Sequence, residues 1–157
     1  MPTNFALPEL EFVFEIRCDI GRELAIGRGA DEALSFTPVT GGTAHGPRLK
    51  GEVLGGGGDW AVERSGTAQL EARYIIRTDD GHNIDILNRG YFRATTEILD
   101  RMESGENVPE DADGLYFKMS STFQTDAPKY KWLTENQFLG SARDEDGQVC
   151  VRVFLVN

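Results

Sequence analysis

Residues 39–53 read VTGGTAHGPRLKGEV, and the interpretation of the fold depends on this stretch. Four glycines and one proline interrupt a run that otherwise favours β-strand. Gly41, Gly42 and Gly51 allow two successive strands to coil sharply around a small barrel, with Gly46-Pro47 as the turn between them. Bare backbone would equally let a ligand approach closely. We favour barrel curvature, and the two roles are compatible.

Alternating apolar and polar residues recur along most of the chain, which is the pattern of half-buried strands. The Asp80-Gly81 pair has the residue types of a tight hairpin turn and joins two such segments. Residues 21–33 are left open as a short strand or a loop. We expect eight or nine strands, near residues 10–18, 35–44, 49–55, 59–63, 68–78, 82–90, 115–124, 135–143 and 148–156.

One helix is predicted over Thr96–Glu103, with Thr95 as the N-cap and Gly105 as the stop. Residues 55–58 are four consecutive glycines, which we expect to form a loop. Because short turns join nearly all the strands, closure is the most complete way to remove exposed edges. The predicted fold is all-β: a single antiparallel up-and-down β-barrel of eight to nine strands with one short helix, formed by residues 1–157 as one domain.

Composition excludes several classes of partner. A formal net charge of -10 would repel a nucleic-acid backbone or an anionic membrane, so we expect neither as a partner. The sequence has no apolar run long enough to span a bilayer and no secretory signal pattern, so we expect a cytoplasmic protein. Cys18 and Cys150 are interpreted as buried thiols. No metal or cofactor site is predicted, since His45 and His82 are far apart in sequence.

Eight blocks of sequence are distinctive in composition and order: residues 38–43, 46–49, 51–53, 58–60, 72–74, 77–81, 88–90 and 130–133. Together they resemble the domain of unknown function 3237 family over nearly the whole chain. The resemblance implies a small antiparallel β-barrel that binds something in or beside its lumen, in a family whose chemistry is mostly unassigned. Ala44-His45 and Thr95-Thr96 depart from the family pattern, so His45 could be specific to the substrate of this member.

Asp59 follows the glycine run and precedes Trp60. A carboxylate at the mouth of a barrel, with an indole wall raising its pKa, suits a general base, and Trp60 would then contact the substrate. The alternative is that Asp59 only caps the turn made by the glycines.

Arg73 and Arg89 lie on strands that a hairpin makes adjacent. Facing the lumen, they would form an anion clamp for a carboxylate or enolate. Facing outward, they would form ordinary cross-strand ion pairs. Alternation puts Arg73 opposite to the apolar Tyr74, which favours the outward orientation for Arg73. A bulge at Gly90 would re-aim Arg89 toward the lumen.

The inner faces of the predicted strands supply the other candidate site residues. Tyrosine and asparagine can donate hydrogen bonds to an oxygen that gains charge, and aromatic residues and methionine give an apolar wall. For each of these residues a plain core role is the alternative, and Trp132 is interpreted as a further wall or a lid on the barrel end. The inner set is Tyr74, Asn88, Phe117, Met119, Asn136 and Phe138.

The leading functional hypothesis is a barrel that binds a small, partly apolar carbonyl or aromatic metabolite. If it is catalytic, we expect metal-free acid–base chemistry, as in an isomerase, lyase, hydratase or cyclase. Asp59 would carry the proton, and Tyr74, Asn88 or Arg89 would stabilise an oxyanion. Two alternatives are a non-catalytic binding or carrier barrel for the same kind of small-molecule ligand, and a structural homo-oligomer without a ligand.

Overall fold

The computed structural model describes residues 5–157 and consists mostly of antiparallel β-structure, which confirms the predicted all-β barrel. An α-helix, α1 (Thr96–Glu103), and a 3₁₀ segment, Pro128–Thr134, interrupt the strands. The ten strands are β1 (Leu10–Ile20), β2 (Leu24–Arg28), β3 (Ala33–His45), β4 (Lys50–Val53), β5 (Gly57–Arg64), β6 (Thr67–Thr78), β7 (Asn83–Ala94), β8 (Leu115–Gln124), β9 (Phe138–Glu145) and β10 (Gln148–Val156).

The sheet closes because β1 pairs with β10 on one side and with β3 on the other. β4 and β5 share one position between β3 and β6, each pairing with a different half of these two long strands. β2 pairs with the beginning of β3, beyond the end of β1. The result is a closed barrel of eight strand positions with two extra strands.

Two glycines of the stretch 39–53 show why its composition is unusual. Gly42 has a φ of 140°, and a Cβ at this position would overlap the carbonyl oxygen of Arg17 on β1. A Cβ at Gly51 would overlap the carbonyl oxygen of Arg77 on β6. Both glycines therefore let neighbouring strands approach closely at the positions where the sequence predicts barrel curvature.

One end of the barrel is filled with side chains. The ring of Phe123 packs edge-on against those of Phe14 and Phe138, with centroids 5.9 and 5.0 Å away. The 3₁₀ segment closes this end and buries Tyr130 and Leu133. Burying such side chains stabilises a fold by roughly 1.5–3 kcal/mol each, so this packed end contributes much of the stability.

The helix α1 begins and ends where the sequence predicts. The Thr95 side chain accepts a hydrogen bond from the Ile98 backbone N–H at 3.3 Å, and Gly105 follows the C-cap with a φ of 85°. Ile98 is buried, and α1 lies beside the end of β7. Within residues 5–157, no helix is long and apolar enough to cross a membrane.

Three local predictions needed correction or completion. The segment 21–33, which the sequence left open, contains β2. The glycine run is not wholly a loop, because the turn occupies residues 55–56 and Gly57 already begins β5. The 3₁₀ segment was not predicted, and β9 begins at Phe138 rather than near residue 135.

Candidate functional site

The end of the barrel opposite the packed end contains a cavity of about 140 Å³. Inward-facing residues of seven strands surround it, because alternate residues of each strand point toward the lumen. The residues that line the cavity are Cys18, Ile20, Thr37, Val39, Asp59, Leu70, Ala72, Tyr74, Asn88, Gly90, Phe117, Met119, Val149 and Val151.

Asp59 is the charged residue of this lining. It lies on β5 opposite Ala72 of β6 and Thr37 of β3, so its side chain points inward with theirs. Its Oδ1 atom is buried without a hydrogen-bond partner among the described residues. Burial raises the pKa of this carboxyl from 3.8 to about 6, and the backbone N–H of Glu71 offsets part of the rise. The carboxyl is therefore available to a ligand rather than committed to capping the glycine turn.

Tyr74 and Asn88 lie beside Asp59 in a chain of buried hydrogen bonds. The Ser121 hydroxyl donates to Asn88 Oδ1, and Asn88 Nδ2 donates to the Tyr74 hydroxyl oxygen at 3.3 Å. The Tyr74 oxygen accepts from Asn88, and the Tyr74 proton can be donated either to the neighbouring Cys18 sulfur or to a ligand in the cavity. Burial holds the pKa of the Tyr74 hydroxyl well above its usual range, so the group keeps its proton and serves as a donor.

The wall facing these polar groups is apolar. Phe117 and Met119 of β8 and two valines of β10 form it, and the Phe92 ring supports Phe117 edge-on at 5.2 Å. Gly90 lets β7 and β8 approach closely at this wall, since a Cβ at this position would overlap the carbonyl oxygen of Lys118. A ligand would therefore meet hydrogen-bonding groups on one side and hydrocarbon on the other.

Cys18 is a lining residue that the sequence analysis did not select. Its thiol lies beside Tyr74, and burial raises its pKa to about 11, so it stays protonated near neutral pH. A protonated thiol is a poor nucleophile, which agrees with its interpretation as a buried thiol. The signal that could have placed it here is its position on β1, where it continues the inward-facing series of Phe14 and Ile16.

Arg73 and Arg89 do not face the cavity. Their side chains are 69% and 66% exposed, and they form ion pairs with Asp85 and Glu71, respectively. β6 and β7 pair without a register shift, so no bulge at Gly90 re-aims Arg89 inward. The expected anion clamp is therefore absent from the described cavity lining, and the outward orientation favoured for Arg73 applies to both arginines.

Trp60 also faces outward. It lies next to Asp59 on β5, so alternation sends its side chain to the opposite face, where its ring centroid is 4.6 Å from that of Phe36. The expected indole wall around Asp59 is thus replaced by aliphatic and aromatic residues from other strands.

The remaining candidates lie at the packed end. Phe138 is a core residue there, and Trp132 stacks between it and Arg48, whose guanidinium carbon is 3.9 Å from the centroid of the indole. Asn136 is exposed, and its Nδ2 donates to the Trp132 carbonyl at 2.8 Å. His45 is exposed on the outer face. Trp132 therefore fits the lid that the sequence suggested, and Asn136 and Phe138 lie away from the cavity.

The geometry supplies a carboxyl whose pKa lies near neutrality, a phenol donor and an apolar wall around one small space. These groups are suited to proton transfer on a molecule whose oxygen gains negative charge during the reaction. Within residues 5–157, no three His, Cys, Asp or Glu side chains come together in a way that could hold a metal ion.

A family model described as "Protein of unknown function (DUF3237)" matches residues 8–156. The chain belongs to this family. A curated relative, a UPF0311 protein of Clostridium acetobutylicum, is 33% identical over 159 residues that cover 99% of this chain and 98% of that protein. The crystal structure of a conserved protein of unknown function from Rhodopseudomonas palustris matches with a TM-score of 0.86 at 30% identity, over 98% of this chain and 99% of that one.

Two further similarities involve the fungus Penicillium herquei. A hydroalkoxylation enzyme of this organism is 32% identical over 77 residues, which cover 49% of the present DUF3237 chain and 52% of the enzyme. The crystal structure of an enzyme from the same fungus matches with a TM-score of 0.76 at 20% identity over 100% of both chains, which shows a common fold.

Proposed function

We propose that this protein is a small-molecule enzyme that transfers a proton within a partly apolar carbonyl or aromatic substrate, with Asp59 as the base. The observation that carries the proposal is the buried Oδ1 atom of Asp59, which borders the cavity and has no hydrogen-bond partner among the described residues. With a pKa of about 6, roughly nine-tenths of this carboxyl is ionised at pH 7. A base with a pKa close to the working pH is the most effective kind.

The proposed reaction begins when the Asp59 carboxylate removes a proton from a hydroxyl group or from a carbon next to a carbonyl. The Tyr74 hydroxyl donates a hydrogen bond to the substrate oxygen that becomes negative, and Asn88 holds the phenol in place. In an isomerisation the double bond shifts, and Asp59 returns its proton to the carbon that has gained the electron pair. In a ring closure the deprotonated oxygen forms a C–O bond with one carbon of a double bond, and Asp59 returns its proton to the other carbon as the double bond opens. Substrate and product therefore have the same composition, as in an isomerisation or an intramolecular ring closure.

The similarity to the Penicillium hydroalkoxylation enzyme supports this class of reaction. Hydroalkoxylation adds a hydroxyl O–H across a carbon–carbon double bond. Within one molecule this addition needs the proton transfers described above together with formation of one C–O bond and opening of the double bond, so nothing enters or leaves. We place the activity in the cytoplasm, a reducing compartment in which free thiols such as the buried Cys18 and Cys150 persist.

Hydrogen–deuterium exchange tests the proposal without knowledge of the natural substrate. Cyclohexanone and 2-cyclohexenone, one-ring carbonyl compounds, are incubated with the protein in D₂O, and exchange at the carbons next to the carbonyl is followed by NMR. We expect the wild-type protein to exceed the buffer rate at least tenfold, with the excess rising with pH through a midpoint near 6. Asp59→Asn should remove the excess, and Tyr74→Phe should reduce it.

Arg89→Gln is the matched control, because it also removes a charge from a barrel strand but the Arg89 side chain faces away from the cavity. It should exchange the probes as the wild-type protein does. Equal exchange by wild type and Asp59→Asn would refute the base assignment. Binding of the probes without any exchange above the buffer rate would instead indicate a carrier.

A further inference from the structure

The charges around the cavity restrict what can enter it. Of the fourteen lining residues, Asp59 is the charged one, and no Lys, Arg or His belongs to this described lining. Carboxylate and phosphate groups are recognised in proteins by Arg, Lys or clustered backbone N–H donors. A ligand carboxylate here would instead lie close to another carboxylate with no cation to balance either charge.

Asp144 adds a second negative charge at the open end. It pairs directly with Val149 in the β9–β10 ladder, and directly opposed residues of an antiparallel pair point to the same face. Since Val149 lines the cavity, the Asp144 side chain projects on the inner face of the barrel. Asp144 is exposed at the rim of the barrel, and the ion pairs found among the described residues do not include it.

Asp59 and Asp144 approach this space from opposite sides. Around the open end of the barrel the strands follow the order β1, β10, β9, β8, β7, β6, β5 and β3, so β9 and β5 face each other across the lumen. Asp144 of β9 and Asp59 of β5 therefore place negative charge on opposite sides of the open end. The net charge of -10 adds a weak long-range repulsion of anions to this local field.

The size of the cavity limits the ligand further. A cavity of about 140 Å³ is close to the ~150 Å³ apolar cavity that binds one benzene molecule in a well-studied engineered protein. The inserted part of a ligand is therefore about one six-membered ring. Its polar atom would face Asp59 and Tyr74, while its hydrocarbon edge would contact Phe117 and Met119.

We propose that the site selects uncharged one-ring molecules, or molecules that insert one such ring, that carry a hydroxyl or carbonyl oxygen, and that Asp144 is a specificity residue that rejects anions. This inference rests on the proposed function for the polar atom of the ligand. It does not require that the protein turns the ligand over.

Three one-ring probes of similar size and different charge test it: benzyl alcohol, benzylamine and benzoate, whose dissociation constants are measured by ligand-observed NMR at pH 7.5. We expect benzyl alcohol to bind the wild-type protein at least tenfold more tightly than benzoate. Asp144→Asn should tighten benzoate binding at least threefold and leave benzyl alcohol within twofold of wild type. Glu135→Gln, an exposed carboxylate near the packed end, is the matched control and should change neither value.

Several outcomes would overturn the inference. Benzoate binding as tightly as benzyl alcohol would refute anion rejection, and an unchanged benzoate affinity in Asp144→Asn would refute the role of that residue. Benzylamine binding more than tenfold tighter than benzyl alcohol would make Asp59 the counter-ion of an ammonium group. If none of the three probes binds, the proposal that the cavity accepts a one-ring molecule is refuted. Failure of the proposed catalysis is read separately, from the exchange assay, because these affinities do not depend on turnover.

Discussion

Asp59 is held at the cavity in a way that costs the fold stability. Its carboxyl has a pKa of about 6 in the folded protein, because burial disfavours the charge, and an ordinary value of 3.8 in the unfolded chain. The folded state therefore binds this proton more tightly, so stability contributed by the group is full below pH 4 and falls as the pH rises toward 6. The loss is at most about 3 kcal/mol.

Asp59→Asn should consequently be more stable than wild type at pH 8, by about 1–3 kcal/mol, and nearly equal to it at pH 3.5, where the wild-type carboxyl is protonated. Urea denaturation at the two pH values measures both differences. Asp111→Asn, on an exposed loop, serves as the control and should show no such pH dependence. If Asp59→Asn is less stable than wild type at pH 8, the buried charge of Asp59 does not destabilise the folded protein.

The alternation of apolar and polar residues predicted whether a side chain on a strand points into or out of the barrel. It placed Tyr74 and Asn88 inside and Arg73 outside, and all three have these orientations. Arg89 was misplaced because a bulge, which would reverse the facing, leaves no dependable trace in one sequence. Cys18 was passed over because a buried thiol in the core and one beside a cavity look identical along the chain.

At the scale of elements, Gly42 shows how the bend of β3 depends on one residue. With a φ of 140° and no room for a Cβ beside the Arg17 carbonyl, Gly42→Ala should destabilise the fold by more than about 2 kcal/mol. Gly41→Ala is the matched control, since a Cβ at Gly41 would be 3.5 Å from its nearest neighbouring atom, an ordinary contact. Thermal unfolding compares the two variants. Equal melting temperatures would contradict the curvature role of Gly42.

The elements themselves were largely predictable, with informative exceptions. α1 was located because Thr95 and Gly105 mark its two ends. The segment that contains β2 was left open as a strand or a loop, because all five residues of β2 are exposed and lack the alternation that burial produces. The segment Pro128–Thr134 is too short for a helical period and folds as it does through tertiary contacts of Tyr130 and Leu133 with the barrel core.

At the scale of the whole molecule, the barrel is divided into a filled half and a hollow half. Met119 and Phe138 both lie on inner faces, yet Met119 borders the cavity and Phe138 is packed at the other end. The alternation of a strand shows which of its residues face the inside of the barrel. It does not show which end of the barrel will be filled by a segment that is distant in sequence. This explains why Asn136, Phe138 and Trp132 were grouped with the site, although the 3₁₀ segment holds them at the packed end.

The cavity in the hollow half lets a ligand enter but lowers the stability of the fold. A substitution that fills the cavity can measure this loss of stability. Ala72 lines the cavity beside Asp59, and Ala72→Leu should raise the free energy of unfolding by about 1 kcal/mol, because its added carbons occupy empty space. The same variant should lose the binding of benzyl alcohol and the exchange of cyclohexanone. Thr122→Leu, on the outer face of β8, should keep both activities. If Ala72→Leu became more stable and still bound the ring, the ligand would have to lie elsewhere, and the assignment of the cavity as the site would fail.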